Sequence, residues 1–255
     1  MKKNLLVFIL IISTTMVNVS AQNIKDRFKK LLGKDKSELA INAAVLPNPY
    51  ININNKIALA DTINFNNIAE ENIFINALSY TIKQGEKGKN NIDILNLQNK
   101  SFETKVQGDI TLEDGKTLTY LYRMKSFVKN NNVVICADSI IIRTPTLFGE
   151  QKDTPFENLN LQKERSLQQM QIFTTIYYQF TEKLEEYIIQ TKPQPVTHWK
   201  DIEIKKVKQG MNATECLLCA GAPKYVRQSG TKTRWMMENN VTIIFEYEKV
   251  INIIQ

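Results

Sequence analysis

Histidine is almost absent from this chain, which has one histidine, nine glycines and three cysteines among 255 residues. The single imidazole, His198, leaves a serine or cysteine nucleophile almost without a partner base. The sequence contains no G-x-S-x-G motif, no glycine-rich phosphate loop and no H-E-x-x-H motif. We therefore predict a protein that is not an enzyme and that binds no cofactor and no metal.

Long apolar runs are also lacking beyond the first residues. Lys2 and Lys3 precede an apolar run from Leu5 to Ile12, and small residues follow at Val19–Ala21. This run is shorter than the roughly 20 residues that span a bilayer, and the pattern is that of a secretory signal. The sequence therefore predicts a signal peptide over residues 1–21 and an exported protein, either periplasmic or associated with the outer membrane.

Charge and cysteine usage narrow the choice of partners. The formal net charge is +7, of which Lys2 and Lys3 contribute two within the predicted signal peptide, and the remaining excess is spread along the chain. Such a modest, dispersed excess does not indicate nucleic acid as a partner. Three cysteines are an odd number in an oxidising compartment, so we expect no disulfide framework.

The segment 22–50 begins with a basic amphipathic stretch. Ile24, Phe28, Leu31 and Leu32 recur at helical spacing, and basic residues occupy the other faces. These four residues are our candidates for peripheral contact with an anionic membrane. The alternative is a frayed terminus or a helix that docks on its own domain.

Two helices are predicted in the block 51–192. Asn67 and Glu70 have the spacing of a capping box at the start of the first helix. Its apolar face comprises Phe74, Ala77, Leu78 and Ile82. The second helix is longer and has an apolar, aromatic-rich stripe formed by Leu167, Met170, Phe173, Tyr177, Phe180, Leu184 and Ile188.

Four strands are predicted between these helices. Turn-rich breaks separate them, and the third alternates between two unlike faces, as in an antiparallel sheet. The predicted strands are Ile92–Leu97, Phe102–Ile110, Thr117–Val128 and Val133–Ile142. Residues 143–162 carry no period, and we expect a long loop there.

This order of elements predicts an α+β fold, in which a curved antiparallel sheet has two helices on one face. The helix "FINALSYTIK" and the strand pair "LTYLYRMKSFVKNNNVVICADSIII" resemble a secreted bacterial family of unknown function. The resemblance covers about residues 55–190 and implies a TATA-binding-protein-like (TBP-like) fold. DNA binding is not implied, because fold does not dictate function.

A second, smaller domain is predicted over residues 198–255, after the proline-stiffened linker 191–198. Asn212 and Glu215 form a capping pair, and Gly221 lies where the helix would end. We expect a helix, a strand over 232–238, a turn, and a strand over 241–253.

A set of glycine, proline, aromatic and aliphatic positions runs through this segment: Gly210, Met211, Gly221, Pro223, Trp235, Phe245, Val250 and Ile253. On these positions the segment resembles the BamE/SmpA family of outer-membrane assembly lipoproteins. The resemblance implies a small domain of a helix and a β-hairpin, and a link to outer-membrane protein assembly.

The C-x-x-C pair, Cys216 and Cys219, has three interpretations. A redox site would place the first cysteine at a helix start after a strand, whereas Cys216 follows Glu215 inside the predicted helix. A zinc site would need Cys136 and His198 to converge on the pair. We favour two buried thiols.

We therefore expect a non-catalytic envelope protein that binds another protein or an envelope component. The sequence names neither the partner nor the oligomeric state. Two alternatives are a secreted inhibitor, because BamE-like units resemble the repeats of β-lactamase-inhibitor proteins, and a glycan-directed hydrolase. A deep cleft with facing carboxylates would favour the hydrolase, and a broad, exposed apolar or aromatic sheet face would favour binding.

Overall fold

The computed structural model describes most of the chain beyond its N-terminal segment, namely residues 49–53, 56–86, 91–111, 117–145, 150–238 and 240–255. The predicted signal peptide lies outside the described residues, as does the stripe of Ile24, Phe28, Leu31 and Leu32. Among the helices that the structure describes, none combines the length and apolar character needed to cross a membrane.

Seven strands form one antiparallel sheet. In chain order, β1 to β7 are Ile51–Ile53, Lys56–Asn64, Ile92–Asn96, Ser101–Thr111, Thr117–Lys129, Asn132–Pro145 and Gln151–Pro155. Their spatial order is β1-β2-β6-β5-β4-β3, and β7 pairs with β6. The tight turn between β5 and β6 has Asn130 and Asn131 at φ values of 53° and 58°. Asparagine tolerates this left-handed region, which explains the turn.

Two long helices, α1 (Glu70–Gln84) and α2 (Glu164–Gln190), pack on one face of this sheet. The ring centroid of Phe74 in α1 lies 6.4 Å from that of Phe102 in β4. Phe173 in α2 lies 5.1 Å from Tyr122 in β5. The main core is therefore a layer between the sheet and the helix pair, and the opposite face of the sheet faces away from both helices.

Side-chain alternation along β5 produces these two faces. Tyr120, Tyr122, Met124 and Ser126 are buried against the helices, whereas the residues between them are partly or fully exposed. Their alternation was predicted and is confirmed. Burying the three large side chains stabilises the fold by about 2 kcal/mol each, on the usual scale for large apolar groups.

Four further strands form a separate antiparallel sheet. In chain order, β8 to β11 are Tyr225–Ser229, Lys232–Met236, Thr242–Glu246 and Lys249–Ile254, and their spatial order is β11-β10-β9-β8. A short helix, α3 (Trp199–Glu203), and a two-turn helix, α4 (Ala213–Ala220), precede the sheet. The overall class is therefore α+β with two antiparallel sheets.

Helix α4 lies between the two cores. Cys216 packs in a small cluster with Phe245 and Val250 of the second sheet. Leu217 and Leu218 belong to the main core, which also contains α1. The segment 191–198 has no regular secondary structure. The predicted division into two domains at this segment stays a prediction. Helix α4 buries apolar side chains in both cores.

The predicted capping box at the start of α1 is wrong. The N-cap is Ala69, which offers no side-chain hydrogen bond. Asn67 instead adopts a φ of 66° in the preceding turn. Glu70 is held by the ammonium of Lys100 at 2.6 Å and accepts a hydrogen bond from the backbone N–H of Asn130 at 2.8 Å. Two groups that are distant in sequence, Lys100 and the Asn130 N–H, therefore bind the carboxylate that the sequence pattern assigned to the helix N-terminus.

The expected loop over 143–162 is also only partly a loop. Strand β6 continues to Pro145, β7 pairs with it over 151–155, and a short 3₁₀ helix follows at Phe156–Asn158. Phe156 is fully buried beside Tyr120 and Phe173, and this contact anchors the segment.

In the C-terminal part, the predicted pair of strands is incomplete. The added strand β8 precedes β9, and a turn at Tyr247–Glu248 splits the expected strand 241–253 into β10 and β11. A four-stranded sheet therefore replaces the predicted hairpin.

Candidate functional site

The face of the larger sheet that points away from the helices carries an ion cluster around Asp138 of β6. The Asp138 side chain is only 7% exposed. Arg123, directly opposite on β5, donates from Nε and Nη2 to the two carboxylate oxygens at 2.8 and 3.2 Å. The Lys125 ammonium lies 3.1 Å from Oδ2. The charged groups of this cluster therefore form ion pairs with one another.

The electrostatics of Asp138 follow from these contacts. Burial alone would raise the pKa of the carboxyl, but hydrogen bonds from Arg123, Lys125 and Ser139 lower it to about 2. Asp138 is therefore ionised at neutral pH, and its charge is neutralised by cations of the same face.

A β-bulge positions this carboxylate. The pairing of β5 with β6 shifts register between Leu121 and Arg123, and Ser139 has a φ of 54°. The Ser139 hydroxyl donates to Asp138 Oδ1 at 3.0 Å and accepts a hydrogen bond from the Lys56 ammonium at 2.8 Å. Bulges commonly re-aim side chains near functional surfaces. Here the bulge links the start of β2 to the cluster.

Apolar side chains flank the cluster on the same face. Phe127 of β5, 44% exposed, lies opposite the partly exposed Val134 of β6. Beyond the cluster, Leu121 lies opposite Ile141, and both are partly exposed. An apolar pair at each end of a charged centre can contact another protein through both apolar and polar groups.

A second buried carboxylate, Glu215, lies at the start of α4. Its Oε1 accepts hydrogen bonds from the backbone N–H groups of Thr197 and His198 at 2.6 and 3.1 Å, and the His198 ring nitrogen Nδ1 is 2.9 Å away. Its Oε2 accepts from the Asn212 N–H at 2.8 Å, while Asn212 Oδ1 accepts from the Glu215 N–H at 2.9 Å. The predicted capping pair is confirmed.

The capping pair also fixes the linker to α4. Asn212 Nδ2 donates to the Pro195 carbonyl at 2.7 Å. Burial would raise the pKa of Glu215, but the hydrogen bonds from Thr197, Asn212 and His198 lower it to about 2. These contacts occupy both carboxylate oxygens, so we interpret the cluster as a structural link between the linker and α4, and we call it the clasp.

The two cysteines of the C-x-x-C pair are both buried and form no disulfide, and the predicted burial is confirmed. Burial raises the pKa of the Cys216 thiol well above its usual range and that of Cys219 to about 12. Cys136 lies instead on the uncovered face of β6, beside Lys125. Within the described ranges, no group of three or more histidine, cysteine or acidic residues could hold a metal ion.

Two concave regions complete the candidate sites. An open depression of about 670 Å³ at one end of the larger sheet is lined by Phe65 and six asparagines. Three of these, Asn67, Asn130 and Asn131, have positive φ, so backbone turns account for their identity. A smaller cleft of about 310 Å³ lies beside β3 and α3, and it contains the carboxylates Asp93 and Glu203.

Comparison with known proteins yields structural likeness alone. No family model matches the chain, and no curated protein matches it. A TBP-like protein from Parabacteroides distasonis ATCC 8503 has a TM-score of 0.47 and 14% identity, over 59% of this chain and 100% of its own. A DUF4468 family protein from Bacteroides ovatus ATCC 8483 has a TM-score of 0.41 and 9% identity, over 64% of this chain and 99% of its own.

Sequence reasoning found Asn212, Glu215 and the alternation of β5, but it missed the ion cluster and the contacts of Glu215 with the linker. The pairing of Arg123 with Asp138 depends on the bulge, which has no local sequence signal because serine rarely adopts a positive φ. The comparisons match a TBP-like protein and a DUF4468 protein over about three fifths of the chain, and no finding supports the BamE/SmpA resemblance of residues 198–255. The expected α+β architecture, an antiparallel sheet with two helices on one face, is confirmed, and its TBP-like character stays a prediction.

Proposed function

We propose that this protein is a non-catalytic binding or scaffold protein of the cell envelope, and that it holds a partner protein on the uncovered face of the larger sheet. The observation that carries the proposal is the composition of that face. Phe127 and Val134 at one end, and Leu121 and Ile141 at the other, offer apolar contact on either side of the Asp138 cluster. Apolar groups beside fixed charges suit a protein surface.

The paired charges at the centre of the face favour a protein over a phosphate-rich partner. Arg123 and Lys125 both pair with Asp138, and Arg143 binds Asp153 through two hydrogen bonds of 2.7 and 2.8 Å. Nucleic acids and anionic membranes attract cations that are free to contact phosphates. These three cations are already held by neighbouring acids.

Site-directed photo-crosslinking tests this proposal in envelope preparations. A photoreactive side chain at position 127 should crosslink one saturable protein partner, whereas one at position 189 on α2 should not. The identified partner is then purified, and its affinity is measured by calorimetry. Phe127→Asp should weaken binding at least about tenfold, because it places a charge in the apolar contact. Ile189→Asp is the matched control, since Ile189 is exposed by 61%.

Equal loss of affinity in both variants, or crosslinking that does not saturate, would contradict the proposal. If the partner is an enzyme whose activity falls on binding, the protein is the inhibitor considered above. If it belongs to the outer-membrane assembly machinery, the role implied by the BamE/SmpA resemblance is supported.

The glycan-directed hydrolase remains the alternative from another class, and its best location is the small cleft with Asp93 and Glu203. The cleft also contains Lys205, whose ammonium donates to the Ile92 carbonyl at 2.8 Å. Release of soluble fragments from dye-labelled peptidoglycan, lost in Asp93→Asn and Glu203→Gln, would establish the hydrolase in place of a binding protein.

Membrane contact through Ile24, Phe28, Leu31 and Leu32 is a further part of the proposal. Sedimentation with vesicles of anionic lipid tests it, because an amphipathic helix binds through its apolar stripe and its basic face. The double change Phe28→Ser with Leu31→Ser should reduce cosedimentation. If the parent protein does not cosediment, the membrane contact is disproved.

A further inference from the structure

The edge strand β8 is the most open part of the smaller sheet. All five of its residues are exposed, and the spatial order places it outermost, next to β9. The turn between β8 and β9 contains Gly230 at a φ of 59°, and Ser229 pairs with Lys232 across it. A two-residue turn of this kind makes the flanking pair hydrogen-bonded. Hydrogen-bonded and non-hydrogen-bonded pairs alternate along the two strands, so Val226 and Gln228 belong to non-hydrogen-bonded pairs. Their backbone N–H and C=O groups therefore point to the open edge.

On the helix-covered side of this sheet, burial decreases toward β8 along one row of paired residues. Ile243 of β10 is fully buried, its neighbour Trp235 of β9 is partly buried, and Val226 of β8 is 59% exposed. Helix α4 therefore covers the inner strands and leaves the end of the row open. An additional strand beside β8 would extend this row and would cover Val226.

On the other side, the same strands present two arginines directly opposite each other. Arg227 of β8 pairs with Arg234 of β9. Like charges at such positions repel each other. Glu246, the acid of this side, lies 3.8 Å from Lys232, and among the described residues neither arginine is within ion-pair distance of an acid. A ligand that supplies carboxylates here would relieve the repulsion.

We propose that β8 is a docking edge for an extended acidic segment of a partner protein, which adds to the smaller sheet as a fifth strand. Backbone bonds to Val226 and Gln228 would hold the segment. Its apolar side chains would cover Val226 beside Trp235, and alternate carboxylates would pair with Arg227 and Arg234. Arginine binds carboxylates well because its guanidinium can donate two parallel hydrogen bonds.

Charge favours an acidic segment of a partner protein at this edge over two segments of this protein, namely β8 of a second copy and the chain's own N-terminal segment. A second copy of β8 would bring another Arg227 to the same edge, and the two would repel. The chain's own segment 22–48 is rich in lysine and would be repelled in the same way. This surface is distinct from the uncovered face of the larger sheet, so its test does not depend on the proposed function.

The probe is a fluorescein-labelled eight-residue peptide of alternating valine and glutamate, and its binding to the purified protein is followed by fluorescence anisotropy. We expect saturable binding that weakens with salt and that changes the emission of Trp235. A peptide with lysine in place of glutamate should not bind. The double change Arg227→Glu with Arg234→Glu should weaken binding at least about tenfold. Lys105→Glu with Lys129→Glu alters the net charge equally on the other sheet and should have little effect.

Gln228→Pro tests the backbone part of the proposal. Proline removes the N–H that points to the open edge and leaves the hydrogen bonds to β9, so the variant should fold and lose binding. Gln228→Ala keeps this N–H and should bind like the parent. Circular dichroism checks the fold of each variant. Full binding in Gln228→Pro, equal binding of the lysine peptide, or binding to anionic vesicles without binding to the glutamate peptide would overturn the proposal.

Discussion

Replacing Glu215 by glutamine removes one charge from the clasp between the linker and α4. The carboxylate is fully buried and accepts hydrogen bonds at both oxygens. Its pKa falls from 4.5 to about 2 on folding, which corresponds to about 3 kcal/mol of stabilisation of the ionised form. Glutamine adds a second penalty, because whichever oxygen its amide group replaces, the NH₂ meets the N–H of Asn212 or of Thr197. We expect Glu215→Gln to lower the free energy of unfolding at pH 7 by at least about 3 kcal/mol.

The pH dependence identifies the origin of this loss. Because the pKa of Glu215 is lower in the folded chain than in the unfolded chain, its contribution is present in full above about pH 4.5. The contribution disappears as the pH falls through the range down to about 2, where the folded carboxyl also takes up a proton. The difference between the parent and Glu215→Gln should therefore shrink across this range.

Urea unfolding at pH 7 and at a series of acid values, followed by circular dichroism, measures this difference. Glu185→Gln is the control, because Glu185 is exposed on α2. The control should match the parent at every pH within about 0.5 kcal/mol. A loss under about 1 kcal/mol at pH 7, or a loss that stays constant down to pH 2.5, would refute the assignment of a charged clasp.

Three further changes test other parts of the fold by the same unfolding measurement. Cys216→Val with Cys219→Leu should change the free energy of unfolding by less than about 1.5 kcal/mol, because both thiols pack as apolar groups; stoichiometric zinc in the parent protein would contradict this. Asp138→Asn should cost about 1 to 2 kcal/mol above pH 4 and progressively less as the pH falls toward 2, since the folded pKa is lowered to about 2 and its cations are partly exposed. Leu218→Ala should cost about 3 kcal/mol and leave a single thermal transition, because α4 packs in both cores; two separated transitions would show independent domains.

The elements that the sequence predicted are those in which local pattern and tertiary packing agree. The stripe of α2 repeats over the whole helix, and Met170, Phe173 and Tyr177 are all buried where it placed them. The alternation in β5 continues over 13 residues, so a shift of one residue would expose its aromatic side chains. A long periodic pattern therefore determines which face of a helix or strand is buried.

Short elements gave weaker signals, for reasons that differ from strand to strand. The turn at Tyr247 and Glu248 has φ values of 48° and 64°, yet neither residue is one that favours this region. Its sequence therefore reads as continuous strand. Strand β8 has no apolar alternation, and the Ser229–Gly230 pair before β9 was the only turn signal available there. Strand β7 is polar and is defined by its pairing with β6.

The candidate sites were harder to predict than the fold, because the role of each residue depends on which distant groups contact it in the folded chain. Asn67–Glu70 and Asn212–Glu215 have the same spacing, and the sequence gives no reason to treat them differently. At the second pair, the linker approaches α4 and adds its own N–H groups to Glu215, so the capping box forms and becomes a clasp. At the first pair, Lys100 reaches Glu70 from the turn before β4, and no box forms. Spacing therefore identifies carboxylates that can be used, and the packing of distant segments decides their use.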